Sequence, residues 1–295
     1  MRVVCFGEAL VDLLPDRRGK LRDCERFEVH SGGAPANVAV GLARLGVDVS
    51  FVGVVGQDEF GHLLDRKLSA EGIDARLRFT GEAKTGLWFV ALDAFGDRTF
   101  FAPTGADGAD KLIDESDVAR IPESEWLHCG SSSHVKPAAQ KALRKAVRLG
   151  RLVSFDPNVR LHLWRDPAEL RALCEDVFPF CSAVKLSEDE LQPCLGASTP
   201  EQAFERLAKV ELVCVTLGAR GVVARRRGET LHVPAPVVDV VDTTGAGDGF
   251  VAGLLASDPL RADLRAALTR ACAVGSRVCT RLGAVAGLPH STSSL

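Results

Sequence analysis

A surplus of positive charge is missing from this sequence, whose formal net charge is -3 over 295 residues. Without a basic excess a chain has little to set against a phosphate backbone, so nucleic acid is not its main partner. The run Arg225-Arg226-Arg227 is short, follows a strand-like stretch and precedes Gly228. It reads as the solvated edge of a hairpin. Long apolar runs are missing as well. None approaches the roughly 20 residues that a spanning helix needs. The apolar start is broken by Gly7 and Glu8, which is not the pattern of a secretory leader. The 9 cysteines contain no CxxC pair, and together with the 7 histidines they show no zinc-ligand spacing. A scattered, odd set of cysteines fits a reducing compartment, where Cys acts as a small core residue. The expectation is a soluble, cytoplasmic protein with no membrane span.

The common nucleotide motifs are also missing. No GxxxxGK[ST] occurs, and no GxGxxG opens a helix after the first strand, so neither a P-loop nor a dinucleotide fold is supported. What the chain does have is length and 46% hydrophobic residues, enough for one large domain or a large domain with a small appendage. Apolar runs of strand length alternate with helix-period segments. VVCF (3–6), VSFVGVVG (49–56), WLHCG (126–130), LVSFD (152–156), AVKL (183–186) and LVCVTLG (212–218) read as strands. Helices are expected over 37–46, 59–72, 136–149 and 167–176, from Ser187, and over 247–256 and 261–278. GVVARRR (221–227) and TLHVPAP (230–236) follow as further strand-like pieces. This rhythm predicts an α/β fold with a doubly wound, mostly parallel sheet flanked by helices. Segments near 13–30 and 85–103 break the rhythm, the latter with a hairpin signal at AFGD, and can pair into a small separate sheet.

In such sheets ligands bind beyond the carboxyl ends of the strands, which draws attention to DTTGAGD (242–248). It follows the apolar run 237–241 and precedes GFVAGLLA, a good helix. Gly245, Ala246 and Gly247 therefore sit at a helix N-terminus, where unpaired N–H groups and the macrodipole attract an anion. Asp248 falls in the first turn, beside that anion. A carboxylate there can take the proton of a hydroxyl that attacks phosphorus. An acidic residue in a helix's first turn is also an ordinary structural choice, but the seven-residue string is far more specific than Gly-x-Gly-Asp alone.

DTTGAGD followed by GF resembles the second signature of the ribokinase family, the phosphofructokinase-B type carbohydrate kinases. SGGAPANVAVGLARLG (31–46) and GVVGQDEFG (53–61) resemble the first. The resemblance runs from GEALVD near residue 7 to RLGAVAGLP near 281–289. It implies one ribokinase-like kinase domain over 1–295, with a small β-sheet lid drawn from about 13–30 and 85–103. It also implies ATP and Mg²⁺ as cofactors, a K⁺ site, and a homodimer formed through the lid. Asp12 matches the family aspartate that binds sugar hydroxyls, and Gly32, Gly33 and Asn37 match the sugar segment. From sequence alone, Asn37 is equally an N-cap of its helix. Asn158 matches a polar residue near the triphosphate, Lys185 is assigned to the nucleotide side, and Thr216, Gly218 and Gly221 match the nucleotide turn. Cys272 stands where relatives often carry Asn or His near adenine. Gly245, Ala246 and Gly247 match the anion hole and Asp248 the catalytic base. Asp242 and Thr244, with residues around Gly283, lie where relatives bind a monovalent cation.

Where relatives carry Asn-x-x-Glu this chain has SEDE (187–190). Glu190 is retained, with a water-mediated role on Mg²⁺ implied. Ser187 with Glu190 also forms an ordinary capping box. DPNVRLHLW (156–164) is most similar to the corresponding run of fructokinases, which implies transfer to the 6-hydroxyl of fructose. A 2-keto-3-deoxygluconate kinase and a ribokinase stay open, as does a silent sugar-binding regulator. Arg160 is a candidate contact to sugar or phosphate. Arg98, on the presumed lid, is likewise a candidate contact to sugar or phosphate, or a partner of a surface carboxylate. Phe100 and Trp88 on the lid are candidates to cover the sugar's apolar face, with lid packing or dimer contact the alternative.

Overall fold

Val3, Val4, Cys5 and Phe6 are all buried, as befits a strand covered on both faces, and they anchor the central sheet. The computed structural model describes residues 1–17, 19–92 and 98–291, and at 91–92 and 98–100 the strand backbone only. In chain order the first half comprises β1 (Arg2–Phe6), β2 (Leu10–Pro15), β3 (Phe27–Gly32), α1 (Ala34–Arg44), β4 (Asp48–Gly56), α2 (Glu59–Ala70), β5 (Asp74–Thr80), β6 (Leu87–Leu92), β7 (Arg98–Phe101) and α3 (Glu115–Val118). The second half comprises β8 (Trp126–Cys129), α4 (Pro137–Ala146), β9 (Leu152–Phe155), α5 (Pro167–Val177), β10 (Ala183–Ser187), α6 (Leu191–Leu195), α7 (Pro200–Arg206), β11 (Leu212–Thr216), β12 (Val222–Arg226), β13 (Glu229–Val233), α8 (Ala246–Leu255) and α9 (Leu264–Val278).

A nine-stranded sheet has the order β13-β12-β11-β10-β9-β8-β1-β4-β5. It is parallel from β11 to β5, and β12 and β13 are added antiparallel. The chain runs outward from β1 through β4 to β5, then returns to build β8 to β11 on the other side. Strand order therefore reverses beside β1, and the crevice at the carboxyl ends of β1 and β8 is the expected ligand position. A second, four-stranded sheet has the order β3-β2-β6-β7. Its parallel pair β2–β6 is flanked by antiparallel partners. This is the small sheet expected from 13–30 and 85–103, with different limits: β2 begins at Leu10, so Asp12 lies on it. The expected hairpin signal AFGD is at 94–97, outside the described residues.

Several elements differ from expectation for local reasons. β5 was not anticipated because DARLRFT carries Arg76 and Arg78 on an edge strand, where charge is common. The short α3 and α7 were missed as well. α1 starts at Ala34, not 37, because Gly33 adopts φ 99 and Pro35 fits the first turn. The helix expected from Ser187 is a 3₁₀ turn, Glu188–Glu190, that runs into the short α6. Arg225 and Arg226 are not a solvated edge. Arg225 donates to the carbonyls of Phe204, Leu207 and Val210 in and just beyond α7, and Arg226 to those of Pro259 and Ala262. Only Arg227 points outward, to Glu211.

α8 contains glycines that would weaken an isolated helix. Packing explains them. A Cβ on Gly249 would lie 2.8 Å from Val278, and one on Gly253 would lie 3.0 Å from Ala271. α8 and α9 thus approach closely, and that contact fixes the helix start that carries Asp248.

Candidate active site

Gly245 is the N-cap of α8 with φ 78, and a Cβ there would fall 2.7 Å from Ala284. Only glycine meets both demands. Ala246, Gly247 and Asp248 form the first turn; the Ala246 N–H donates to the Thr243 carbonyl at 3.2 Å, and the N–H groups of Gly247 and Asp248 have no intrahelical acceptor. Asp248 is buried, and its Oδ2 accepts a hydrogen bond of 2.8 Å from Asn37 Nδ2. Asn37 is therefore not an N-cap. It lies inside α1 because that helix starts three residues early, and it fixes the Asp248 carboxyl across 211 residues of sequence.

Beneath the cradle lies Lys185. Its Nζ is 3.2 Å from where a Gly247 Cβ would stand. It pairs with Asp156 at 3.0 Å and sits 3.8 Å from Glu190. Burial works against the ammonium, yet Asp156 and Glu190 hold its pKa well above the ordinary lysine value. Burial pushes the Asp248 carboxyl above the usual carboxylate range. Asn37, Lys185 and Arg160 pull it down, while Glu8 adds to the push. The outcome is a carboxyl with raised proton affinity at the N-terminus of α8, a combination whose chemistry suits a general base. His128 and His134 are pushed down to about 3 by burial. They are weak bases that stay neutral.

Most of the residues singled out from the sequence line one cavity of about 1330 Å³. Asp12, Gly33, Asn37 and Arg160 border it with Asp248 at one end. Desolvation drives the Asp12 carboxyl up to about 7; Arg160 opposes this, and Asp248 and Asp242 reinforce it. Asn158, Lys185, Glu190, Thr216, Gly218, Gly221 and Cys272 border the remainder, with Thr244 beside the cradle. Asn158 adopts φ 45, stabilised by Asp156 Oδ1 accepting its N–H at 3.2 Å. Gly221 has φ 90, and a Cβ there would overlap the Val233 carbonyl. The apolar run 237–241 is not a strand. Val237 and Val240 are exposed and line this end.

Gly32 and Asp242 lie behind the cavity surface. A side chain on Gly32 would overlap the Asp12 carboxyl, so its role is to leave room for Asp12. Asp242 fastens its loop: Oδ1 accepts from Thr244 N at 2.9 Å and Oγ1 at 2.7 Å, and Oδ2 from Gly283 N at 2.9 Å. The side chains of Arg98 and Phe100 lie outside the described residues. Trp88 is buried on the cavity wall, edge-on to His162 at 5.5 Å. Sequence reasoning missed Glu8, Lys111 and His162, which also line the cavity. Glu8 stood in GEALVD beside Asp12, and His162 in DPNVRLHLW. Lys111, buried and paired with Asp110, had no motif to mark it.

The donors fit a magnesium ion that arrives on a nucleotide. Glu190 uses Oε1 to accept from Val159 N and Oε2 from Ser187 N, both at 2.7 Å. Among the described residues no cluster of His, Cys, Asp and Glu can hold a metal by itself. Mg²⁺ commonly keeps its waters and binds through phosphates, so a site without such a cluster is compatible with an ion carried in on a nucleotide. The oxygens around Asp242 and Thr244 suit a hard cation by their chemistry.

The sequence matches the family described as pfkB family carbohydrate kinase over residues 1–291. It is 40% identical to the fructokinase of Klebsiella pneumoniae, in an alignment covering 98% of this chain and 96% of that protein. A solved double-mutant fructokinase from Vibrio cholerae O395, in fructose, ADP and potassium ion bound form, superposes with a TM-score of 0.88 at 34% identity, covering 98% of this chain and 95% of that one. An aminoimidazole riboside kinase from Salmonella enterica, complexed with aminoimidazole riboside and an ATP analog, gives 0.86 at 30% identity, covering 99% and 97%.

Proposed function

This chain belongs to the pfkB family of carbohydrate kinases, and from that premise we propose that it transfers the γ-phosphoryl group of ATP to the 6-hydroxyl of fructose. The observation that carries the reading is Asp248, held by Asn37 at the start of α8 and open to the same cavity as Asp12 and Lys185. The sugar lies toward Asp12, Gly33 and Arg160, and the nucleotide toward Thr216, Gly218, Gly221 and Cys272. Asp248 takes the proton from the attacking hydroxyl. The new oxygen–phosphorus bond forms as the bond to the ADP oxygen breaks. The N–H groups of the Gly245–Gly247 turn and the Lys185 ammonium stabilise the charge on the transferring group. Mg²⁺, when bound with the nucleotide, neutralises phosphate charge; Glu190 and Asn158 border its place. K⁺ is assigned to the loop of Asp242 and Thr244, which adjoins the cradle.

Two further assignments belong to this reading. The lid sheet pairs with that of a second copy, and Val29 and Phe101, exposed by 42% and 57% on its outer strands, are the apolar side chains such a contact would cover. The protein works in the reducing cytoplasm, which its 9 free cysteines suit. Among the described residues no helix is long and apolar enough to cross a membrane.

The test is an ADP-release assay over fructose, ribose, 2-keto-3-deoxygluconate, adenosine and aminoimidazole riboside. Fructose is expected to give the highest kcat/KM. No turnover with fructose beside clear turnover with another member would overturn the substrate assignment. A pH profile adds a second check. With Asp12 pushed up to about 7, the carboxyl is protonated below that pH and a weaker acceptor for sugar hydroxyls. The value of kcat/KM for fructose should therefore rise between pH 6 and 8. Asp12→Asn should lose that limb and raise KM for fructose on the order of tenfold or more. A limb of unchanged midpoint in the variant would assign it to another group.

A further inference from the structure

Glu8 follows β1 closely, and its backbone is clamped on both sides. A Cβ on Gly7 would fall 2.7 Å from Pro35, and one on Gly33 would overlap the Glu8 carbonyl. The residue is only 3% exposed and lines the cavity with Asp12 and Asn37. Its Oε2 is buried and has no hydrogen-bond partner among the described residues. The other acids around the cradle differ. Asp248 accepts from Asn37, Asp156 from Lys185, Glu190 from two backbone N–H groups, and Asp242 from Thr244 and Gly283. A buried acceptor left without a donor is costly, and native proteins seldom keep one without a use.

Resting on the sugar-kinase reading, we propose that Glu8 is a substrate-binding residue whose Oε2 accepts a hydrogen bond from a second sugar hydroxyl, beside the one that faces Asp248. The chemistry narrows the ligand. Phosphate oxygens are negatively charged acceptors and cannot satisfy this oxygen, whereas a neutral polyhydroxy sugar brings donors. Glu8 is close enough to Asp248 for its charge to raise that carboxyl's proton affinity. The two acids thus border one end of the cavity, and a polyol that donates to both is held by two points and oriented for transfer.

The test compares wild type with Glu8→Met, which keeps the bulk and deletes the acceptor. It measures ligand-free Tm and calorimetric sugar affinity without metal or nucleotide. The sugar is whichever member of the panel turns over best, so a wrong substrate assignment leaves the comparison decisive. Ligand-free Tm is expected to equal or exceed wild type, because an unpartnered buried acceptor is removed. Sugar Kd is expected to rise on the order of tenfold to a hundredfold, the range for hydrogen bonds to charged groups. Glu8→Gln, which keeps an acceptor oxygen, should recover most of that loss. An unchanged Kd in Glu8→Met overturns the proposal. So does a lowered Tm or failure to fold, since an oxygen without a partner cannot be what holds the end of β1.

Discussion

Asp248→Asn is expected to lower kcat by roughly 10²–10⁴, the usual cost of losing a general base, with sugar affinity nearly unchanged. The substitution keeps the shape of the side chain. The new amide oxygen can still accept the Asn37 hydrogen bond now made at 2.8 Å, so the helix start and cradle stay in place. What disappears is the ability to take a proton. Single-turnover kinetics with bound sugar separates the loss of chemistry from any loss of binding. Turnover near wild type would remove Asp248 from its assigned role and turn attention to another proton acceptor.

Lys185→Met is expected to damage both stability and catalysis. Asp156 and Glu190 lie 3.0 Å and 3.8 Å from its ammonium and are buried with it. Deleting one partner of a buried ion pair leaves uncompensated charge and costs about 3–5 kcal/mol. Denaturant unfolding measures this. Catalysis should fall too, because the fixed cation beneath Gly247 is lost. Adding Asp156→Asn should recover part of the stability and little of the kcat, which distinguishes the electrostatic role from packing. The sign with pH is definite. The lysine's pKa is raised above its ordinary 10.5, so its contribution is complete below that pH and lost only in stronger alkali. A variant as stable as wild type would contradict the network.

The parts of this architecture with strong local signals were legible in the sequence. Buried runs such as Val3–Phe6 announced parallel strands, and DTTGAGD announced the start of α8. Contacts made across long separations were not legible. Nothing in the sequence of α1 indicates that Asn37 reaches Asp248, since that depends on where α1 crosses α8. Lys185 stood out as a nucleotide-side residue, but its place between Asp156 and Glu190 comes from the neighbouring ends of β9 and β10. β5 was hidden by its charged edge residues. Glu8 sat in a segment already singled out for Asp12, yet a buried oxygen without a donor is visible only in three dimensions.

Asp248 as the base toward one particular hydroxyl is the central claim, and a crystal structure with fructose and a non-hydrolysable ATP analogue tests it most directly. The fructose 6-hydroxyl should lie within hydrogen-bond distance of Asp248 and about 3–3.5 Å from the γ-phosphorus, in line with the leaving oxygen. A different hydroxyl in that position would contradict the fructose 6-hydroxyl assignment. An Asp248 carboxyl turned away from every sugar oxygen would contradict the base itself.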